Sequence, residues 1–116
     1  MIDPKMIKAL KFMAEAERLR AKDLYPEFKN FEVAHKTIAS EISELDWEVR
    51  RIKAELSNMG VLITCMGHDG DLRTFNNDIY DSAILAAAEA LQVAGLMIKF
   101  VDGLKNNNFK KIEREV

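Results

Sequence analysis

The sequence predicts a mainly α protein with a minor β component: an antiparallel helical hairpin, a β-hairpin and a long apolar third helix within one domain. An apolar heptad pattern runs from Phe31 to Met59, which is typical of a helix that packs along one seam. Only two prolines and five glycines occur among the 116 residues, and this scarcity favours long helices. Asp69-Gly70 lies between two runs of strand-forming residues, which indicates a hairpin turn.

Capping residues and a proline delimit the first two helices. Asp3 can cap a helix over residues 3–25, in which Pro4 suits the first turn and Pro26 stops further extension. Asn30 can cap a second helix over residues 31–58. Because the connection is short, we expect these two helices to be antiparallel. The seam consists of Phe31, Ile38, Ile42, Leu45, Val49, Ile52, Leu56 and Met59, with His35 as its one polar member.

The remaining chain is predicted to form a β-hairpin over residues 61–75, a helix over residues 78–105 and a short tail or helix over residues 109–116. The first strand follows Gly60, which is expected to end the second helix. The third helix is apolar around nearly its whole circumference, and such a helix requires burial on all sides. We therefore expect it to contact a second subunit. The predicted interface comprises Trp47, Ala83, Ala87, Ala90, Leu91, Ala94 and Ile98.

Composition favours a cytoplasmic protein that assembles with itself, with a dimer preferred, and binds a protein partner. The formal net charge of −2 makes nucleic-acid binding unlikely, although Arg50, Arg51 and Lys53 form a small basic patch. A single cysteine is consistent with a reducing compartment. The most apolar stretch, Ser82–Ile98, contains Glu89 and falls short of bilayer thickness, so we expect no membrane span.

Two carboxylate pairs suggest metal-dependent chemistry. Glu41-x-x-Glu44 and Asp78-x-x-Asp81 each place two carboxylates on one helical face, and facing pairs can hold magnesium. This arrangement resembles the all-helical nucleoside-triphosphate pyrophosphohydrolases, which use Glu-x-x-Glu on one helix and an acidic pair on a later one. The resemblance covers these four positions, and Ser40 stands where that family usually has another Glu. It implies a magnesium-dependent enzyme with these four residues at its site.

A second group of possible metal ligands lies within the predicted hairpin. Cys65, His68, Asp69 and Asp71 have side chains that suit zinc or manganese, but turn formation already accounts for Asp69. His35 could accept a phosphoryl group or respond to pH, but a structural histidine is favoured, because polar residues in a seam usually set its register.

These patterns favour a non-enzymatic interaction or regulatory protein without a cofactor, similar in build to small bacterial or phage regulators. A magnesium-dependent pyrophosphohydrolase that uses Glu41, Glu44, Asp78 and Asp81 is the alternative. A nucleic-acid-associated oligomer is the third possibility.

Overall fold

The computed structural model describes residues 2–24, 28–65 and 69–105, and it contains three α-helices over them. They are α1 (Pro4–Leu24), α2 (Phe31–Cys65) and α3 (Asp69–Lys105). The prediction of a mainly α fold is therefore confirmed. The predicted β-hairpin is wrong, because no strand occurs in these described ranges and residues 61–65 and 69–75 are helical. The predicted tail over residues 109–116 and the stop at Pro26 lie outside the described residues.

Side-chain caps start α1 and α2 where the sequence predicts them. Asp3 Oδ1 accepts the backbone N–H of Lys5 at 2.9 Å, and Pro4 occupies the first helical position. Asn30 Oδ1 accepts the backbone N–H of Val33, also at 2.9 Å. Each cap satisfies an N–H group that the first helical turn leaves without an intrahelical acceptor.

Helix α2 continues through Gly60 rather than ending there. No positive φ occurs at this glycine, and a Cβ atom placed on it would meet nothing within 4 Å. The hydroxyl of Thr64 donates to the carbonyl oxygen of Gly60 at 2.9 Å, an interaction that β-branched hydroxyl residues commonly make inside helices. Val61–Cys65 therefore extends α2 despite its strand-forming composition.

Packing at helical spacing explains why residues 61–65 and 69–75 are helical. Leu62 is half-buried and follows Met59 on the same face of α2, while Leu72 and Phe75 begin an equivalent half-buried face on α3. Positions three or four residues apart share a helix face, whereas alternate positions would share a strand face. The helical arrangement thus places these apolar side chains in line with the seams that follow, and tertiary packing overrides local β propensity.

The first of two compact units contains residues 1–42 with 90–116, and within its described part three helical segments pack around a small core, as in a helical bundle. Phe28 and Ala34 form this core with Leu96 and Phe100 packed against it. Ala14 of α1 is also buried. The rings of Phe31 and Phe100 are 6.2 Å apart, within the range of favourable aromatic pairs.

The second unit, Ser43–Glu89, is a hairpin formed by the end of α2 and the start of α3. Glu44 and Glu89 lie close together and almost equally far from the connection between the helices, so the two arms are antiparallel. Ser82 is the buried side chain of this unit, at 3% exposure, and no apolar residue among its described side chains is fully buried. The hairpin alone therefore has a thin apolar core.

The expectation that no segment could span a membrane is wrong. Leu72–Lys105 is one continuous helix that is long and apolar enough to cross a bilayer, and only 17% of its most apolar window is buried. The sequence prediction considered Ser82–Ile98 alone, which is shorter than the helix that the structure contains. The finding concerns length and composition, two properties that core helices of soluble proteins can share with membrane spans.

Candidate glutamate site

The half-buried face of α2 is rotated from the predicted seam toward a row of glutamates. Four predicted seam residues, Phe31, His35, Ile42 and Leu56, are exposed. Heptad-spaced glutamates occupy the half-buried face instead, alternating with apolar seam residues. The half-buried residues of this face are Ile38, Glu41, Leu45, Glu48, Ile52, Glu55, Met59 and Leu62. Along this face, from Ile38 to Glu55, every second residue is a glutamate. Partial burial of so many carboxylates is unfavourable for packing, which suggests that these groups have a use beyond packing.

Glu44 on α2 and Glu89 on α3 are carboxylates of the second unit that lie close together. Their carboxylate oxygens lie within 4.8 Å of each other. Glu48 follows Glu44 by one turn on the same helix face, and Glu89 is half-buried. We call Glu44, Glu48 and Glu89 the glutamate site. Glu41 precedes Glu44 by one turn on the same face of α2.

Two carboxylate oxygens on this face of α2 are enclosed without a hydrogen-bond donor. Oε2 of Glu41 and Oε2 of Glu48 are buried and have no hydrogen-bond partner. An oxygen that is enclosed without a hydrogen-bond donor loses its hydration without a replacement, which is unfavourable. Like charges on Glu44 and Glu89 add repulsion. A cation bound between Glu44 and Glu89 would relieve this repulsion.

The donor set fits a hard divalent cation. Magnesium prefers oxygen ligands and is commonly held by one or two carboxylates, with water and substrate phosphates in the remaining positions. Glu44 and Glu89 provide facing carboxylates from two helices. Glu48, one turn beyond Glu44 on α2, has an oxygen without a hydrogen-bond donor. No cysteine or histidine belongs to this group, which favours magnesium or manganese over zinc.

The structure places the acidic pair predicted on the third helix away from Glu89. Asp81 and Asp78 precede Glu89 on α3 by about 12 Å and about 16 Å along the helix axis, and both are exposed. Sequence reasoning did not assign Glu89 to the site. A usable signal was present, because Glu89 is the sole charged residue between Asp81 and Lys99.

Cys65 is the one member of the second predicted group of metal ligands whose side chain the structure describes. Cys65 is a free, exposed cysteine at the end of α2, and His68 lies outside the described residues. Asp69 and Asp71 belong to the first turn of α3, and their side chains are not among those described. The predicted site therefore stays a prediction.

The predicted interface residues range from exposed to half-buried. Trp47 is 60% exposed, and the guanidinium of Arg51 lies 5.6 Å from its ring centroid. Ala83, Ala87 and Ala90 are exposed, whereas Leu91, Ala94 and Ile98 are half-buried. In the predicted basic patch, Arg50 pairs with Asp46 at 2.9 Å. His35 is exposed on α2.

No protein-family model matches the chain, and no match was found among curated proteins or solved structures.

Proposed function

We propose that this protein is a magnesium-dependent nucleoside-triphosphate pyrophosphohydrolase. The main support for this proposal is that carboxylate oxygens of Glu44 and Glu89, on two antiparallel arms, lie within 4.8 Å of each other. The unsatisfied oxygen of Glu48 on the next turn supports the same interpretation. The Glu-x-x-Glu spacing on α2 resembles that of the all-helical pyrophosphohydrolases, and Glu89 rather than Asp78 or Asp81 lies close to Glu44.

In this proposal Glu44 and Glu89 hold the cation from opposite arms, and Glu48 orients or deprotonates the attacking water. A bound magnesium ion supplies positive charge that neutralises the triphosphate and favours pyrophosphate as the leaving group. Water attacks the α-phosphorus, the bond between the α-phosphorus and the bridging oxygen breaks, and the products are a nucleoside monophosphate and pyrophosphate. Glu48 suits the role of base because its enclosed oxygen has a free lone pair.

The direct test separates pyrophosphate from phosphate release. Purified protein is incubated with each ribo- and deoxyribonucleoside triphosphate in magnesium, and the products are separated by ion-exchange chromatography. We expect equal amounts of monophosphate and pyrophosphate, and no turnover after chelation. Release of single phosphates, or turnover unaffected by chelator, would contradict the proposal.

Cation binding should also be visible as added stability. An ion that binds only the folded hairpin at one hundred times its dissociation constant adds about 2.7 kcal/mol to the free energy of unfolding. We expect magnesium or manganese to raise the melting temperature of the wild-type chain and to have little effect on a Glu44→Gln, Glu89→Gln double variant. Calcium and sodium at matched ionic strength serve as controls for ion size and for general screening.

An interaction protein that self-associates is a second candidate function, and exposed apolar side chains favour it. Within the second unit, Leu56 is 59% exposed and Ile84 is 55% exposed. A two-helix hairpin gains a full core when another hairpin packs against it, as in four-helix bundles. Burial of each such side chain is worth about 1.5–3 kcal/mol, which is enough to support association.

Sedimentation equilibrium tests self-association. We expect the wild-type chain to form an assembly larger than one chain, and Ile84→Asp to shift it toward single chains by at least tenfold in dissociation constant. Thr74→Asp, at an exposed polar position of the same helix, is the matched control and should leave the assembly unchanged. A wild-type chain that stays single at high concentration would remove this candidate.

A further inference from the structure

The first half of α1 has an uneven charge distribution. Lys5, Lys8 and Lys11 are its charged residues, and no acidic residue occurs between Pro4 and Ala14. The whole chain has a formal net charge of −2, so this segment is a local basic region in a slightly acidic protein. All three lysines are exposed, and none takes part in the ion pairs found among the described residues. Asp3, just before the segment, is engaged as the helix cap.

The opposite side of the same segment is an exposed apolar face. At 100° per residue, Met6, Leu10 and Met13 lie on one side of the helix and the three lysines on the other. Met6 is 58% exposed and Met13 is 49% exposed. Ile7 borders the face nearest Lys11, and Phe12 is the one large apolar residue on the lysine side.

We propose that this basic amphipathic segment, Pro4–Met13, binds the surface of an anionic lipid bilayer. Helices with an apolar face and lysines on the polar face lie in the membrane interface, with the apolar side chains below the headgroups. Lysines extend their charged ends toward lipid phosphates while their methylene groups cover apolar surface. The inference is independent of the glutamate site and goes beyond the proposed hydrolase activity.

Charge favours a lipid surface over a second copy of the chain as the binding partner of this segment. A second copy that paired through this segment would bring six lysines together with no acid inside either segment, and like charges disfavour that arrangement. An anionic bilayer instead attracts each basic residue near its surface by about 1 kcal/mol, roughly a fivefold gain in partition coefficient.

Vesicle co-sedimentation of the full chain provides the test. The probes are vesicles of phosphatidylcholine with an equal amount of phosphatidylglycerol, and vesicles of phosphatidylcholine alone. We expect binding to the anionic vesicles that weakens with added salt, and at least tenfold weaker binding to the neutral ones. The triple variant Lys5→Gln, Lys8→Gln, Lys11→Gln should lose on the order of a hundredfold in partition coefficient, because three lysines contribute about fivefold each.

A matched triple variant shows whether binding depends on the lysines of this segment or only on the total charge of the protein. Lys29→Gln, Lys36→Gln, Lys53→Gln removes the same charge from exposed lysines outside α1 and should change binding by less than threefold. Equal loss in both triples would overturn the proposal. So would unchanged binding by Met6→Gln, Leu10→Gln, because the apolar face would then play no part. Salt-resistant binding to both vesicle types would assign membrane contact to α3 instead, and would also overturn it.

Discussion

Replacing Glu44 or Glu89 with glutamine is expected to reduce magnesium-dependent pyrophosphate release by at least a hundredfold. Each substitution keeps the size and shape of the side chain and removes one negative charge from the facing pair. Loss of one preorganised electrostatic group at a reacting centre typically costs about 10²–10³ in turnover. Because the two carboxylates lie within 4.8 Å, we expect the double variant to be little worse than either single one, as residues that act together are not additive.

The rates should be measured at saturating magnesium and again across a magnesium titration. A loss of cation affinity alone is recovered at high magnesium, whereas loss of a catalytic group is not, so the titration separates ligand from base. We expect partial recovery for Glu44→Gln and none for Glu48→Gln. Glu32→Gln, an exposed glutamate in the first turn of the same helix, is the matched control and should keep wild-type activity.

Asp81→Asn distinguishes the two possible acidic sets. The sequence pattern pairs Glu41 and Glu44 with Asp78 and Asp81, whereas the structure places Glu89 opposite Glu44. A full loss of activity in Asp81→Asn together with normal activity in Glu89→Gln would contradict a site formed by Glu44 and Glu89. Full activity of both Glu44→Gln and Glu89→Gln would remove the hydrolase proposal itself.

The elements that the sequence predicted well are those defined by local chemistry. Asp3 and Asn30 satisfy particular N–H groups of the next turn, so they indicate helix starts without knowledge of the rest of the fold. The end of α2 depends on a longer-range effect. Gly60 and the β-branched residues after it favour termination locally, but Leu62 continues the half-buried face and keeps the segment helical.

That misplaced boundary also explains why Glu89 was missed. A helix beginning at residue 78 puts Asp78 and Asp81 in its first turn, where acidic residues are common. The helix instead begins at Asp69, so both aspartates lie beyond its second turn. In two antiparallel helices, the residue opposite Glu44 lies about as far from the connection as Glu44 does. It can therefore be identified only when the position of the connection is known. Glu-x-x-Glu spacing was readable because it lies within one helix.

Substitution of Gly95 is expected to lower stability, because α1 crosses α3 closely at this point. A Cβ atom on Gly95 would lie 3.1 Å from the backbone nitrogen of Arg18, 3.2 Å from Cβ of Glu17 and 3.4 Å from the carbonyl oxygen of Ala14. Two of these atoms are backbone, so the strain cannot be relieved by rotating a side chain. Arg18 also forms an ion pair with Asp102, about two helical turns further along α3, and a displaced α1 would lose this pair.

Gly95→Leu should therefore lower the free energy of unfolding by about 1–3 kcal/mol, the usual cost of overpacking, despite the better helix propensity of leucine. Gly60→Ala is the matched control, since that glycine is helical and faces open space; it should raise the free energy of unfolding by about 1 kcal/mol. Urea denaturation measures both changes, and amide exchange over residues 14–20 reports whether α1 is displaced. Equal stabilisation by both substitutions would show that α1 does not pack against Gly95. If α1 crosses α3 closely at Gly95, the free energy of unfolding falls in Gly95→Leu and rises in Gly60→Ala. Amide exchange over residues 14–20 is then faster only in Gly95→Leu.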